Sequence, residues 1–338
     1  MKSERLYKAV FSDEKIGPEK VMISPTDRCN LKCKICWRHA KHGKYGELRL
    51  SEIKRVLRDC KELGVKTIDL TGGGEAFFRK DIFCILKLVK DYGFVGTLTS
   101  NGTLLNREKI EKIVRMGWDD VSFSLDSYDP KINDYIRGEG VFQKVIETIN
   151  NFKKVKGKLN TDFPFLRITT VINRLNYMSL VKIIELTNDL GIEAINFSTL
   201  VEFKTNKEFW MRWANGNDLK NSLEKAFKKS KKIRIRTNLD SVIKFGVLNH
   251  EKPKFCFAPW FMAFINASGK VMVCCTLASL YSNIIGDIKN SSFKDVWFGK
   301  KMGEFRKNFK KKKLPRECVK CIPEFTDTFN KYYDGMKC

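Results

Sequence analysis

Between Val21 and Ser198 the apolar residues switch repeatedly from period 2 to period 3.6 and back, and this alternation restricts the chain to an α/β fold with a parallel sheet. Strands are expected at 21–24, 66–71, 96–100, 120–125, 165–172 and 194–198. Helices are expected at 51–63, 81–92, 107–116 and 178–190. In the first helix Ser51 is the expected cap, Ile53, Val56, Leu57 and Cys60 share one face, and Gly64 ends it. Six strands alternating with helices in this span predict a partial (β/α)6 TIM-type barrel with right-handed crossovers, whose functional groups belong at the C-terminal strand ends.

The first strand end carries Cys29, Cys33 and Cys36, spaced C-x3-C-x2-C just beyond Pro25. Three soft ligands within eight residues suit an iron-sulfur cluster with one iron left without a protein ligand, because a closed zinc or cluster site takes four. Eleven cysteines without an export signal favour metal or redox chemistry over a disulfide framework. Cys60 and Cys84, alone on amphipathic helices, are expected as buried thiols. The second strand closes on Thr71-Gly72-Gly73-Gly74-Glu75, where glycines let backbone approach a ligand and Glu75 offers a carboxylate to an ammonium group. Later strands end in Ser100-Asn101-Gly102 and Ser124-Leu125-Asp126-Ser127, which taken alone read equally well as a turn and a helix cap.

No charge-free apolar run approaches the length of a membrane span and the N-terminus lacks a signal-peptide core, so a cytoplasmic protein without membrane insertion is expected. The formal charge of +25 favours anionic partners. Residues 201–254 carry 14 basic and 6 acidic side chains, with Trp210, Trp213 and a helix expected at 218–229, and 300–313 carries eight basic residues against Glu304. Nucleic acid is one reading of these stretches, and a solvated lysine-rich face is the plain one. His39, His42 and His250 stand alone and read as surface residues; no catalytic acid or base is identifiable.

Cysteines return after residue 255. Apolar runs at 261–265 and 270–275, joined by Asn266-Ala267-Ser268-Gly269, predict a β-hairpin. Cys256, Cys274, Cys318 and Cys321 form a four-thiol set that could close a second cluster or a structural zinc site. Cys275 is expected on the opposite strand face from Cys274, packed, with a catalytic thiol as the alternative.

The cysteine loop, with Ile35 before its last cysteine and Gly73-Gly74-Glu75 after the second strand, resembles the radical S-adenosylmethionine (SAM) superfamily over residues 18–200. The resemblance implies a 4Fe-4S cluster on Cys29, Cys33 and Cys36 that chelates SAM, an external donor such as ferredoxin or flavodoxin, and cleavage to a 5′-deoxyadenosyl radical that abstracts hydrogen from a substrate. By motif position it implies that Gly73, Gly74 and Glu75 serve the methionine amino group, that Ser100 and Asn101 form the next polar strand end, that Ser124 and Asp126 meet the ribose, and that Arg137 meets the methionine carboxylate. Ile195 and Phe197 either flank the adenine or belong to the core.

Residues 255–338 resemble the SPASM and Twitch extensions, which implies an auxiliary 4Fe-4S cluster on Cys256, Cys274, Cys318 and Cys321 in a small α+β domain, with zinc ranked below iron. Asp327 and Lys331 stand where the full SPASM pattern has cysteines, so the single-cluster Twitch layout fits better, and Cys338 is a spare thiol or a rarer ligand. The expected division is an extension at 1–17, the core at 18–200, a basic linker at 201–254 and the auxiliary domain at 255–338. The implied function is oxidation or rearrangement of a small anionic or sugar-like metabolite, with cysteine layout similar to Twitch aminoglycoside-alcohol dehydrogenases. The alternatives are a peptide- or protein-modifying maturase, disfavoured by the short stretch before Cys29, and an RNA-modifying enzyme.

Overall fold

The computed structural model describes residues 2–12, 14–40, 46–211, 216–245 and 256–320. Cys321, Cys338, Asp327, Lys331, Trp213, His42 and His250 lie outside the described residues, as does the side chain of His39. The strands are β1 (Lys20–Ile23), β2 (Thr67–Leu70), β3 (Val95–Ser100), β4 (Asp120–Ser124), β5 (Phe165–Ile172), β6 (Ala194–Thr199), β7 (Arg236–Thr237), β8 (Met262–Ile265), β9 (Lys270–Met272) and β10 (Gly286–Asp287). They form one sheet in the order β10-β9-β8-β1-β2-β3-β4-β5-β6-β7. Pairing is parallel from β8 through β7 and antiparallel among β8, β9 and β10, so the sheet curves as a partial barrel and does not close.

The helices are α1 (Lys2–Phe11), α2 (Leu50–Glu62), α3 (Ile82–Asp91), α4 (Arg107–Arg115), α5 (Pro130–Arg137), α6 (Val141–Lys158), α7 (Leu180–Asp189), α8 (Gly216–Lys232), α9 (Leu239–Phe245), α10 (Ala258–Phe261), α11 (Cys275–Ser279), α12 (Phe293–Phe298) and α13 (Lys300–Lys310). Their apolar stripes meet the outer face of the sheet: Ile53, Val56, Leu57 and Cys60 of α2 and Ile85, Leu86 and Val89 of α3 are fully buried. Along β5, Leu166, Ile168, Thr170 and Ile172 face the helices while Phe165, Arg167, Thr169 and Val171 alternate onto the half-open inner face. Among the described residues no helix is long and apolar enough to cross a membrane.

Several expectations change. Helix α2 starts one residue early, with Arg49 as its N-cap rather than Ser51, because the Glu52 carboxylate reaches back to the Arg49 amide at 2.7 Å. Cys84 is exposed, not buried, since α3 turns Ile82, Ile85, Leu86 and Val89 inward and leaves position 84 outside that stripe. The stretch expected as a basic linker contains β7, a two-residue strand too short for any periodicity to reveal. The expected hairpin is present, but β9 ends at Met272, so Cys274 caps α11 and Cys275 begins it; the opposite-face argument for Cys275 therefore does not apply.

The hairpin is not a free-standing module. Its first strand, β8, pairs in parallel with β1 along Lys20–Ile23, and Val21, Phe264, Val271 and Trp297 belong to one continuous core. The Trp297 indole N–H donates to Ile16 O at 2.9 Å, and the Asp59 carboxylate of α2 accepts from the Phe293 amide at 2.7 Å.

Candidate active site

The loop after β1 is held by its backbone carbonyls. Arg38, which follows the third cysteine by two residues, donates to Asp27 O at 2.7 Å and Leu31 O at 3.2 Å while 8% exposed. Arg79, 3% exposed, donates to Pro25 O at 2.8 Å and pairs with Asp81. The glycine loop docks on the same segment through Gly74 N to Thr26 O at 2.7 Å and Glu75 N to Arg28 O at 2.9 Å. A Cβ on Gly74 would stand 1.8 Å from Arg28 O, and one on Gly73, at φ +63, would stand 2.0 Å from Ser24 Oγ. Both positions therefore need glycine for loop-to-loop packing, a reason independent of any ligand. Neither Arg38 nor Arg79 was legible in the sequence, because an arginine clamp on carbonyls has no local periodicity.

Cys29, Cys33 and Cys36 are all half-buried on this loop. Cys29 Sγ accepts from the Leu31 amide at 3.4 Å and the Asn101 side-chain amide at 3.8 Å, and the Cys33 thiol donates to Arg137 O at 3.6 Å. Burial pushes the Cys33 thiol up to about 11, with the Arg137 guanidinium opposing and the thiols of Cys36 and Cys29 adding to the rise. Burial likewise raises Cys29, against the Leu31 amide and the charge of Arg38. The three thiols thus feel one another. Among the described residues, however, no three His, Cys, Asp or Glu side chains are gathered as a single metal ion requires. Three thiols carried on one eight-residue loop are the donor set of a cluster that keeps one iron free of protein ligands, so the residues fit such a cluster.

The other strand ends tie into this loop. Glu75 is 3% exposed, and its carboxylate accepts from Ser100 Oγ at 2.8 Å, the Asn101 amide at 2.7 Å and the Phe77 amide at 3.2 Å. Burial nonetheless raises its pKa, since these three bonds offset the desolvation only in part. The carboxylate expected to grip an ammonium group also ties β2 to β3. Asn101 bridges onward to Asn30 Oδ1 at 3.0 Å. Asp126 is fully buried; its carboxylate accepts from the Val171 amide at 2.8 Å and lies 2.8 Å from Arg137 Nε. The two residues expected on ribose and methionine carboxylate form a buried pair, and α5 is anchored by it beside Cys33. Ser124 is half-buried at the end of β4, and Ile195 and Phe197 lie in the main core.

The inner face of the barrel carries a band of polar groups across β1–β6. Lys20 pairs with Asp69 at 2.6 Å and Arg167 with Asp120, while Ser122 and Thr169 share a 2.6 Å hydroxyl contact one step nearer the cysteine loop. Thr99 is in register with Ser122, and Asn196 with Thr169, so polar groups line the wall above a self-neutralised ionic floor.

In the C-terminal region Cys256, Cys274, Cys275 and Cys318 are half-buried. Cys256 and Cys318 pack against an apolar wall of Leu6, Val10, Phe257, Trp260 and Phe309, to which α1 contributes the first two. The fourth thiol, Cys321, lies outside the described residues.

Comparison with known proteins accords with this arrangement. The radical SAM superfamily profile matches residues 23–187, and the SPASM profile, an iron-sulfur cluster-binding domain, matches residues 256–322. The chain is 27% identical over 326 residues to the AdoMet-dependent heme synthase of Methanosarcina barkeri, covering 90% of this chain and 88% of the relative. It is 26% identical over 290 residues to the PqqA peptide cyclase of Bradyrhizobium diazoefficiens, covering 83% and 73%. The fold is similar to Streptococcus suis SuiB bound to S-adenosylmethionine, with a TM-score of 0.71 at 18% identity, covering 97% of this chain and 78% of SuiB. The chain is therefore an enzyme of the radical SAM superfamily, with a core that binds a 4Fe-4S cluster and S-adenosylmethionine and a SPASM domain that binds auxiliary iron-sulfur.

Proposed function

We propose that this enzyme abstracts a hydrogen atom from a small anionic or sugar-like metabolite and oxidises or rearranges it. The observation that carries this reading is the hydrogen-bonding inner wall of the barrel, Thr99, Ser122, Thr169 and Asn196, opening toward the cysteine loop. Such a wall offers hydroxyl and amide groups to a hydroxylated or charged substrate. The near full-length match to a heme synthase agrees with a small-molecule substrate.

Cys29, Cys33 and Cys36 would hold one cluster, which would supply the electron for reductive cleavage of S-adenosylmethionine, and Cys256, Cys274, Cys318 and Cys321 would hold a second, which would supply an electron sink. The chain's own groups then have distinct tasks. The Gly73–Gly74 backbone, Asn101 and Ser124 contact S-adenosylmethionine. Glu75 and the Asp126–Arg137 pair act through their neighbours, holding the strand ends and α5 against the cluster loop. An external one-electron carrier completes the set.

A test starts from anaerobic protein. Roughly eight irons per chain are expected, four from each cluster. Dithionite and S-adenosylmethionine then yield 5′-deoxyadenosine, and deuterated candidate metabolites pass deuterium into it. About four irons with zinc present would remove the auxiliary cluster from this account, and no 5′-deoxyadenosine under any reductant would remove the radical step. The match to a peptide cyclase favours peptide modification as a second reading. Deuterium transfer from a labelled peptide, and from no metabolite, would decide for it.

A further inference from the structure

The run of basic residues at 300–313 has no task in the reading above. Within it the ratio is eight basic side chains to one acidic, against 64 to 39 for the whole chain, so general lysine enrichment does not account for it. The structure separates these side chains by direction. Arg306 turns inward: its guanidinium donates to Pro259 O at 3.0 Å and Trp297 O at 3.2 Å and lies 4.4 Å from the Trp297 ring centroid. The seven lysines are exposed, and none is ion-paired among the described residues, whereas Lys294 of the preceding helix meets Glu62 at 3.3 Å. The inner side of the same helix is apolar. Phe305 and Phe309 stack at 4.7 Å and pack in the wall that holds Cys256 and Cys318. Helix α13 therefore presents unpaired positive charge on one side and backs the auxiliary cysteines with the other.

We propose that the exposed face of α13 with Lys311–Lys313 is the docking surface for an acidic one-electron carrier protein, which exchanges its electron with the auxiliary site. The proposal rests on the auxiliary cluster assigned above. Charge complementarity steers such a carrier to this face and fixes its orientation, and the packing of Phe305 and Phe309 in the wall that holds Cys256 and Cys318 gives the reason for the place. In the direction that can be measured directly, the reduced carrier loses one electron and the auxiliary centre gains one.

The probe is a reduced plant-type [2Fe-2S] ferredoxin, an acidic protein, mixed with the anaerobic full-length enzyme. One variant carries K307E, K310E, K311E, K312E and K313E; a milder one carries Gln at the same positions; a control carries Glu at five exposed lysines of α8, namely 220, 225, 228, 231 and 232. Binding by anisotropy and loss of cluster absorbance by stopped flow are read over a salt series. Reversal on α13 is expected to weaken binding and slow ferredoxin-driven reduction about tenfold or more at low salt, with the Gln variant between it and the parent and the α8 control close to the parent. Dithionite-driven reduction stays the same in all four. Equal losses on α8 and α13 would reduce the effect to net charge, and no loss on α13 would remove the docking surface. Tight α13-dependent binding of a single-stranded oligonucleotide, with ferredoxin indifferent, would replace the carrier by nucleic acid. If dithionite itself releases no 5′-deoxyadenosine from the parent, the radical reading fails rather than the docking surface.

Discussion

Arg38 holds two carbonyls of the cluster loop, and a hydrogen bond from a charged donor contributes about 1.5–3 kcal/mol. Arg38→Met removes both and leaves Asp27 O and Leu31 O to find other donors. We expect the variant to melt with the parental circular dichroism but to lose iron at Cys29, Cys33 and Cys36, with faster hydrogen exchange across residues 29–36 and partial recovery in Arg38→Lys. Unchanged exchange would remove Arg38 from the loop's support. Asp81 makes a second residue-scale test. Hydrogen bonds from the Arg79 guanidinium, at 2.5 and 2.9 Å, hold its carboxyl below the usual range, more than burial raises it. A depressed folded-state pKa gives stability that is present above the unfolded value of about 3.9 and is lost as pH falls through the folded value. The unfolding midpoint of the parent should thus exceed that of Asp81→Asn by a constant margin from about pH 8 to pH 5, shrinking toward zero as pH falls below about 3.9 and through the lower folded value. A margin that grows on acidification would contradict the pairing.

At the scale of elements, α1 is the informative case. By sequence it is an extension; in the structure Leu6 and Val10 complete the wall around Cys256 and Cys318, and Arg5 ties the helix to Leu63 O at 2.8 Å. Val10→Asp puts a carboxylate into that wall, at a cost of at least about 3 kcal/mol, and should lift the helix away. Oxygen should then bleach the auxiliary centre several times faster, while iron at Cys29, Cys33 and Cys36 keeps its parental lifetime. Equal lability of both centres would mean a global rather than local effect. Most barrel elements were legible, since strands such as β5 and helices such as α2 repeat a period within about ten residues, but α5 and α6 between β4 and β5 were not expected from the sequence. The pairing of Asp126 with Arg137 was not, because each carries a local motif that reads as ligand contact, and only the packing of α5 onto the end of β4 brings them together.

For the molecule as a whole, β8 matters most. Its pairing with β1 makes the C-terminal region part of the barrel sheet rather than an appendage. A chain ending at residue 254 would bare the β1 edge and strip Phe264 and Trp297 from the core. Such a chain should aggregate or melt without a cooperative transition; a soluble fragment with one sharp transition would show that the core is autonomous. Sequence alone determined the repeated strand–helix order, the thiol loop at the first strand end and the second set of cysteines, because these are written in periods and spacings a few residues long. Tertiary structure decided that Gly73 and Gly74 serve loop packing, that Glu75 and Asp126 are buried in pairings of their own, and that α1 and β8 join regions more than 240 positions apart in the chain. Those outcomes depend on which faces meet once the sheet has curled, and no local pattern carries that information.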